Sequence, residues 1–236
     1  MRKICILSIT TILFPLFAIS QVKKPLNISG FDDKAIHFGF SIGLNSMDFS
    51  LKRTMSPYIS GTDTLVFVPD LSNIMPPGFQ VQIISDLRLG DFFNLRFLPG
   101  ISFGQRSLNF YRLSDRSKDI SVDVSSAFLD FPLSIKYRAV RLNNYRPYVL
   151  GGINYRYDMS SRNEEEIIIQ TKPGDLYLEA GLGVDWYLRF FKFSTEIKAG
   201  VGLRDVLVHH TNNKPQYLNS LDGLRSYIFC LSFHFE

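Results

Sequence analysis

From residue 36 onward, apolar and polar side chains alternate one by one through eight separate stretches: 36–49, 78–89, 94–104, 127–137, 146–157, 175–188, 193–205 and 223–236. Alternation with a period of two places one set of side chains on each face of an extended strand. In 78–89, for instance, Phe79, Val81, Ile83, Leu87 and Leu89 share one face, and Gln80, Gln82, Asp86 and Arg88 the other. The connections follow a rhythm of their own. Long ones (52–77, 105–126, 158–174, 206–222) alternate with tight ones such as 90–93 and 189–192. Short turns at one end and long loops at the other predict an all-β fold, an eight-stranded antiparallel up-and-down transmembrane β-barrel.

The residues before this pattern read as a leader. Arg2 and Lys3 precede an apolar run over 4–19, and Ala18-Ile19-Ser20 forms an A-x-S cleavage site before Gln21. The run is shorter than the roughly 20 residues a spanning helix needs, and Pro15 interrupts it. The expected organisation is therefore a cleavable signal peptide over 1–20, a periplasmic N-terminal segment over 21–35 and a barrel over 36–236. Gln21 rather than cysteine follows the site, which argues against a lipoprotein. Cleavage removes Cys5 and leaves Cys230 alone, so no internal disulfide can form. It also lowers the net charge from +4 to +2, too small and too evenly spread for nucleic-acid binding.

Alternation does not by itself say which face points outward, because a soluble lipocalin-like barrel shows the same pattern inverted. Two features place the apolar face in lipid. First, the polar faces carry a balanced set of charges, Arg88, Arg96, Lys136 and Lys198 against Asp86, Asp130, Glu179, Asp185 and Glu196. Buried charge is tolerated where it is paired, so these nine residues are the expected lumen charge network. Second, Phe92, Phe93, Tyr145, Trp186, Tyr187, Phe190 and Phe191 collect at strand ends beside the short turns, as an interfacial girdle requires. An eight-stranded lumen is narrow enough for side chains to fill. Gly181, Gly183, Gly200 and Gly202 on neighbouring strands would make room for long arginine or tyrosine side chains.

Residues with chemical potential are few. His209 and His210 sit near Asp205 and Ser220 in a long loop, but adjacent histidines on an extended chain point oppositely and chelate poorly. His37 and His234 lie near the ends of the first and last strands and could meet across the closing seam. Glu164, Glu165 and Glu166 read as a solvated charge run. No catalytic, cofactor-binding or metal-binding set emerges. The first long loop is more unusual, with Leu65, Val66, Phe67, Val68, Leu71, Ile74 and Met75. Apolar residues in such number suggest a docking surface, or else a loop folded over its own barrel mouth. On the last strand, Tyr227, Phe229, Leu231, Phe233 and Phe235 form an amphipathic aromatic face that resembles the signal read by the barrel-assembly machinery. The departure is Glu236, which follows Phe235 where an aromatic residue usually ends the strand.

Four pieces of the chain resemble a known family: His37-Phe-Gly-Phe-Ser-Ile-Gly-Leu-Asn-Ser-Met-Asp-Phe49, Phe131-Pro132-Leu133 with Lys136-Tyr137, Arg146-Pro-Tyr-Val-Leu-Gly-Gly152, and Gly181-Leu-Gly-Val-Asp-Trp-Tyr-Leu188. Together they are similar to the Bacteroidota outer-membrane barrel family, and the first-strand motif looks like its PorT branch. The resemblance implies a part in type IX protein secretion, and in gliding motility where a species glides. It brings no catalytic residues. Implied partners are outer-membrane lipid, the barrel-assembly machinery and other secretion-machine subunits. The alternatives are a small passive porin or envelope-stabilising barrel, and a rim enzyme built on His210.

Overall fold

A computed structural model describes residues 25–53, 58–60, 63–65, 67–71, 76–112, 118–160, 171–208 and 220–236. The leader, with Ala18 and Ser20, lies outside the described residues. Strands form wherever the alternation runs: β1 (Ile36–Arg53), β2 (Tyr58–Ser60), β3 (Asp63–Leu65), β4 (Phe67–Leu71), β5 (Pro77–Arg88), β6 (Phe93–Phe97), β7 (Gly100–Arg112), β8 (Lys118–Arg138), β9 (Tyr145–Asp158), β10 (Gly174–Tyr187), β11 (Lys192–Gly202) and β12 (Leu221–Phe235). Branched and aromatic residues on one face suit a pleated surface, and polar residues opposite satisfy the other side.

The sheet closes. β1 pairs with β5 on one side and with β12 on the other, from Phe40 opposite Phe235 to Arg53 opposite Leu221. Around the ring, β5 meets β6 and β7, these meet β8, and β8 to β12 follow in order, all antiparallel. Closure leaves no edge to be solvated by lipid, which is the condition for a sheet to span a membrane.

The stretch 94–104, expected as one strand, is divided into β6 and β7 at Pro99. The division is local. Phe97 opposes Ser85 and Gly100 opposes Gln82, so the register does not shift, and the Ile83 N–H still donates to the Pro99 carbonyl at 2.9 Å. Proline lacks an N–H, so one rung is missing and nothing else changes. β6 and β7 therefore count as one of eight staves.

The strands also run further than expected. β7 continues to Arg112 and β8 starts at Lys118, which turns most of the expected loop 105–126 into a protruding ribbon. Alternation persists there through Leu108, Phe110 and Val122, all buried. Within 52–77, β4 lies against the outer end of β7, Phe67 opposite Arg112 and Leu71 opposite Leu108.

The two faces separate as their chemistry demands. Phe38, Phe40, Leu44, Val81, Ile83, Leu133, Ile135, Leu178, Leu182 and Ile197 are exposed on the outer wall. Arginine, lysine, aspartate and glutamate are buried inside. A water-soluble barrel would invert this distribution.

Candidate functional site

The lumen fills in three tiers. At the outer end, Phe49, Leu108, Phe110, Val122, Val206, Leu207, Leu221 and Leu224 form a dry cluster. Val206 and Leu207 come from the connection between β11 and β12, which tucks into the mouth: the Val206 N–H donates to the Leu224 carbonyl at 2.9 Å. Below this cap, Arg156 donates through Nε to Asp130 at 2.6 Å and through Nη2 to Ser102, with its guanidinium 4.3 Å from the Phe128 ring centre. Arg106 lies beside it, donating to Ser126 and Ser226 and stacking 4.3 Å over Phe49. A void lined by Arg106, Phe128, Arg156 and Tyr177 amounts to about 10 Å³, room for no more than one water.

The third tier, toward the short turns, is ionic. Arg96 is fully buried and lies 2.9 Å from Asp86, 3.3 Å from Glu196 and 3.0 Å from Glu236. Lys136 pairs with Asp185 at 2.8 Å, Lys192 with Glu236 at 2.6 Å and Lys198 with Glu179 at 2.8 Å. Tyr148 donates its hydroxyl to Glu196 at 2.8 Å, and His234 Nε2 lies 3.2 Å from the same carboxylate. A Cβ on Gly183 would fall on the Tyr148 ring, so only glycine lets that ring cross the lumen. Pairing of this kind is what lets charge persist out of water.

Eight of the nine charges expected in the lumen lie in it: Asp86, Arg96, Asp130, Lys136, Glu179, Asp185, Glu196 and Lys198. Arg88 sits at the rim instead, 2.7 Å from Asp91, because the strand is ending there and its side chain reaches the turn. Arg106, Arg156, Lys192, His234 and Glu236 were missed. Each falls on the inward parity of its strand, Glu236 one residue past the end of β12, so the same parity would have found them. Glu236, the departure in the last strand, is the carboxylate that Lys192 and Arg96 share. Tyr187 also departs from expectation: it turns inward from the girdle toward the opening at the short-turn end and is 1% exposed.

His37 and His234 do not meet. His234 opposes Ser41, four positions along β1 from His37. His209, His210 and Glu164 to Glu166 lie outside the described residues, as do Val66, Ile74 and Met75 of the expected docking loop. Of that loop, Leu65 falls in β3, and Phe67, Val68 and Leu71 fall in β4. Asp205 accepts from the backbone of Leu207 and Leu224. Among the described residues no three His, Cys, Asp or Glu side chains are grouped to hold a metal. On β12, Tyr227, Phe229, Leu231, Phe233 and Phe235 share the outer face, where Phe235 stacks on Phe40 with ring centres 4.9 Å apart.

The opening at the short-turn end is covered by the described residues that precede β1. A single 3-10 turn (Phe31–Asp33) places Asp32 over the mouth. Its carboxylate lies 3.1 Å from Arg138, 3.4 Å from Arg146 and 4.0 Å from Arg141, and the Tyr187 hydroxyl reaches it at 2.9 Å. Main-chain oxygens are gripped too: Arg88 donates to the Asp32 carbonyl at 2.8 Å and Arg141 to that of Asn27 at 2.6 Å. Phe31 stacks on His37 with centres 4.2 Å apart. The turn buries no residue. Ile28, just before it, has φ 40°, a left-handed conformation that costs a β-branched residue about 1–2 kcal/mol. Charge, not a hydrophobic core, holds this strap.

A family model described as outer membrane protein beta-barrel domain matches residues 19–208. No curated protein matches the chain. Among solved structures it is similar to Neisserial surface protein A (NspA), at 11% identity and TM-score 0.42, over 85% of this chain and 98% of that one. It is also similar to the outer membrane protein OprG from Pseudomonas aeruginosa, at 12% identity and TM-score 0.40, over 85% of this chain and 93% of that one.

Proposed function

We propose, from the premise that this chain belongs to the outer membrane protein beta-barrel family and lies in the outer membrane of a Gram-negative bacterium, that it is a non-conducting, non-enzymatic subunit of the type IX protein secretion machinery of Bacteroidota. The observation that carries the reading is the filled lumen. An apolar cap, an arginine-aromatic tier and an ionic tier succeed one another beneath a closed wall, and the Asp32 strap covers the far end. A barrel without a path through it works through its two ends. Binding of other secretion subunits is the role that this arrangement and the PorT-like first strand, His37 to Phe49, together support.

Deleting the gene tests it: cargo carrying the secretion system's C-terminal signal is expected to accumulate inside the envelope. Normal export in the deletion strain refutes the assignment. Planar-bilayer recording separates the porin alternative, since the purified barrel is expected to give no stepwise conductance and an open channel would favour the porin.

A further inference from the structure

The periplasmic mouth holds more positive charge than its occupant answers. Three guanidinium groups, Arg138, Arg141 and Arg146, surround the one Asp32 carboxylate, while Arg88 beside them is matched by Asp91. Arg138 is 2% exposed, and its Nε has no hydrogen-bond partner among the described residues. Arg141 and Arg146 also donate to the carbonyls of Asn143, Asn27, Ala139 and Asp91, which carry no charge, so the cluster keeps an excess of positive charge and a spare donor at Arg138 Nε.

What sits there now is itself a ligand in miniature. Asp32 presents a carboxylate, and Asp32 and Asn27 present main-chain carbonyls to Arg88 and Arg141. Recognition of side-chain charge together with peptide carbonyls suits an extended acidic peptide better than a phosphate, which has no such second row of acceptors. The strap is held by polar contacts that an acidic ligand can replace: its turn buries no residue, and Ile28 just before it holds a strained φ.

We infer that the Arg138–Arg141–Arg146 cluster is a docking site for an acidic peptide segment of a periplasmic partner protein, with Asp32 as a tethered stand-in that the partner displaces. The inference rests on the reading that the barrel acts by binding, and it names the surface and the chemistry of what is bound. A tethered competitor lowers apparent affinity by the fraction of time the site is open. Removing its charge should therefore raise affinity for a free acidic peptide.

The test uses the mature barrel in phosphatidylcholine nanodiscs at 150 mM salt, with fluorescein-labelled hexaglutamate as the probe and anisotropy as the readout. Asp32→Asn is expected to bind at least ten-fold more tightly than the unsubstituted protein. Asp33→Asn, which removes an equal charge from an exposed neighbour, should change little. Adding Arg141→Gln and Arg146→Gln to Asp32→Asn should return binding to the weak level. Heat-dependent gel mobility reports closure of each barrel, and Arg141→Gln alone, in a turn outside the ladder, serves if the double arginine variant does not close. Equal affinity of Asp32→Asn and the unsubstituted protein overturns the inference. So does an equal gain in Asp33→Asn, or competition by inorganic phosphate or phosphatidylglycerol vesicles as effective as by unlabelled hexaglutamate. Failure here with defective export in the deletion strain removes only this site. Normal export with tight peptide binding removes only the secretion assignment.

Discussion

Arg96 is the side chain on which the ionic tier turns, and its removal gives the most decisive measurement. Replacing it by methionine keeps the length and most of the volume while deleting the charge. Its surroundings contain four carboxylates, Asp86, Glu196, Glu236 and Asp185, and two other cations, Lys136 and Lys192, already committed to Asp185 and Glu236. In Arg96→Met those two cations face all four carboxylates, and Asp86 keeps the Asn94 amide. Removing one partner of a buried ion pair costs about 3–5 kcal/mol, because the other charge is left uncompensated. With a urea slope of about 2 kcal/mol per molar, the unfolding midpoint should fall by roughly 1.5–2.5 M. The single tryptophan, Trp186, sits exposed on the outer wall, so its fluorescence follows extraction from lipid vesicles. Asp86→Asn in the Arg96→Met background removes one stranded charge and should recover about 1 kcal/mol or more. A midpoint for Arg96→Met within about 0.5 M of the unsubstituted barrel, or a second substitution that adds its full cost to the first, refutes the reasoning.

Three shorter tests follow from other parts of the molecule. Leu182→Arg sets a charge on the outer wall between Val149 and Ile197, and should cost about 2–4 kcal/mol in vesicles; a loss below about 0.5 kcal/mol would mean that this face does not meet lipid. Gly183→Ala drives a methyl group into the Tyr148 ring and should cost about 1–3 kcal/mol in the same assay; an unchanged midpoint would show that the ring does not lie there. Cys230 is buried among Met47, Phe128, Tyr177 and Ile228, so a maleimide should label it after boiling and not before. Rapid labelling of the unboiled barrel would contradict a filled lumen.

Much of this architecture was legible in the residues. Phe79, Val81 and Ile83 alternate with Gln80 and Gln82, and a two-residue period leaves one face for lipid and one for the interior. Alternation also persists through Leu108, Phe110 and Val122, within the stretch 105–126 expected as a long loop. Partner choice inside the lumen was not legible. Arg96 meets Glu196, a hundred residues away, only because ring curvature brings non-neighbouring strands face to face, and pattern within a strand carries no information about that. The strap was invisible for another reason. Three residues in a 3-10 turn have no periodicity to read, and Asp32 gains its role from arginines contributed by β8, β9 and the turn between them.

The long reach of Arg96 governs how the molecule comes into being. Its partners Glu196, in β11, and Glu236, just past the end of β12, lie 100 and 140 residues downstream. The β5–β6 hairpin can pair Arg96 with Asp86 by itself, but until β11 and the chain end arrive that polar pair lies on a surface that cannot be shown to hydrocarbon. Such contacts of high sequence separation are slow to form. Pairing of β1 with β12 closes the ring, and with it the wall that keeps Arg96 and its distant carboxylates together and away from lipid.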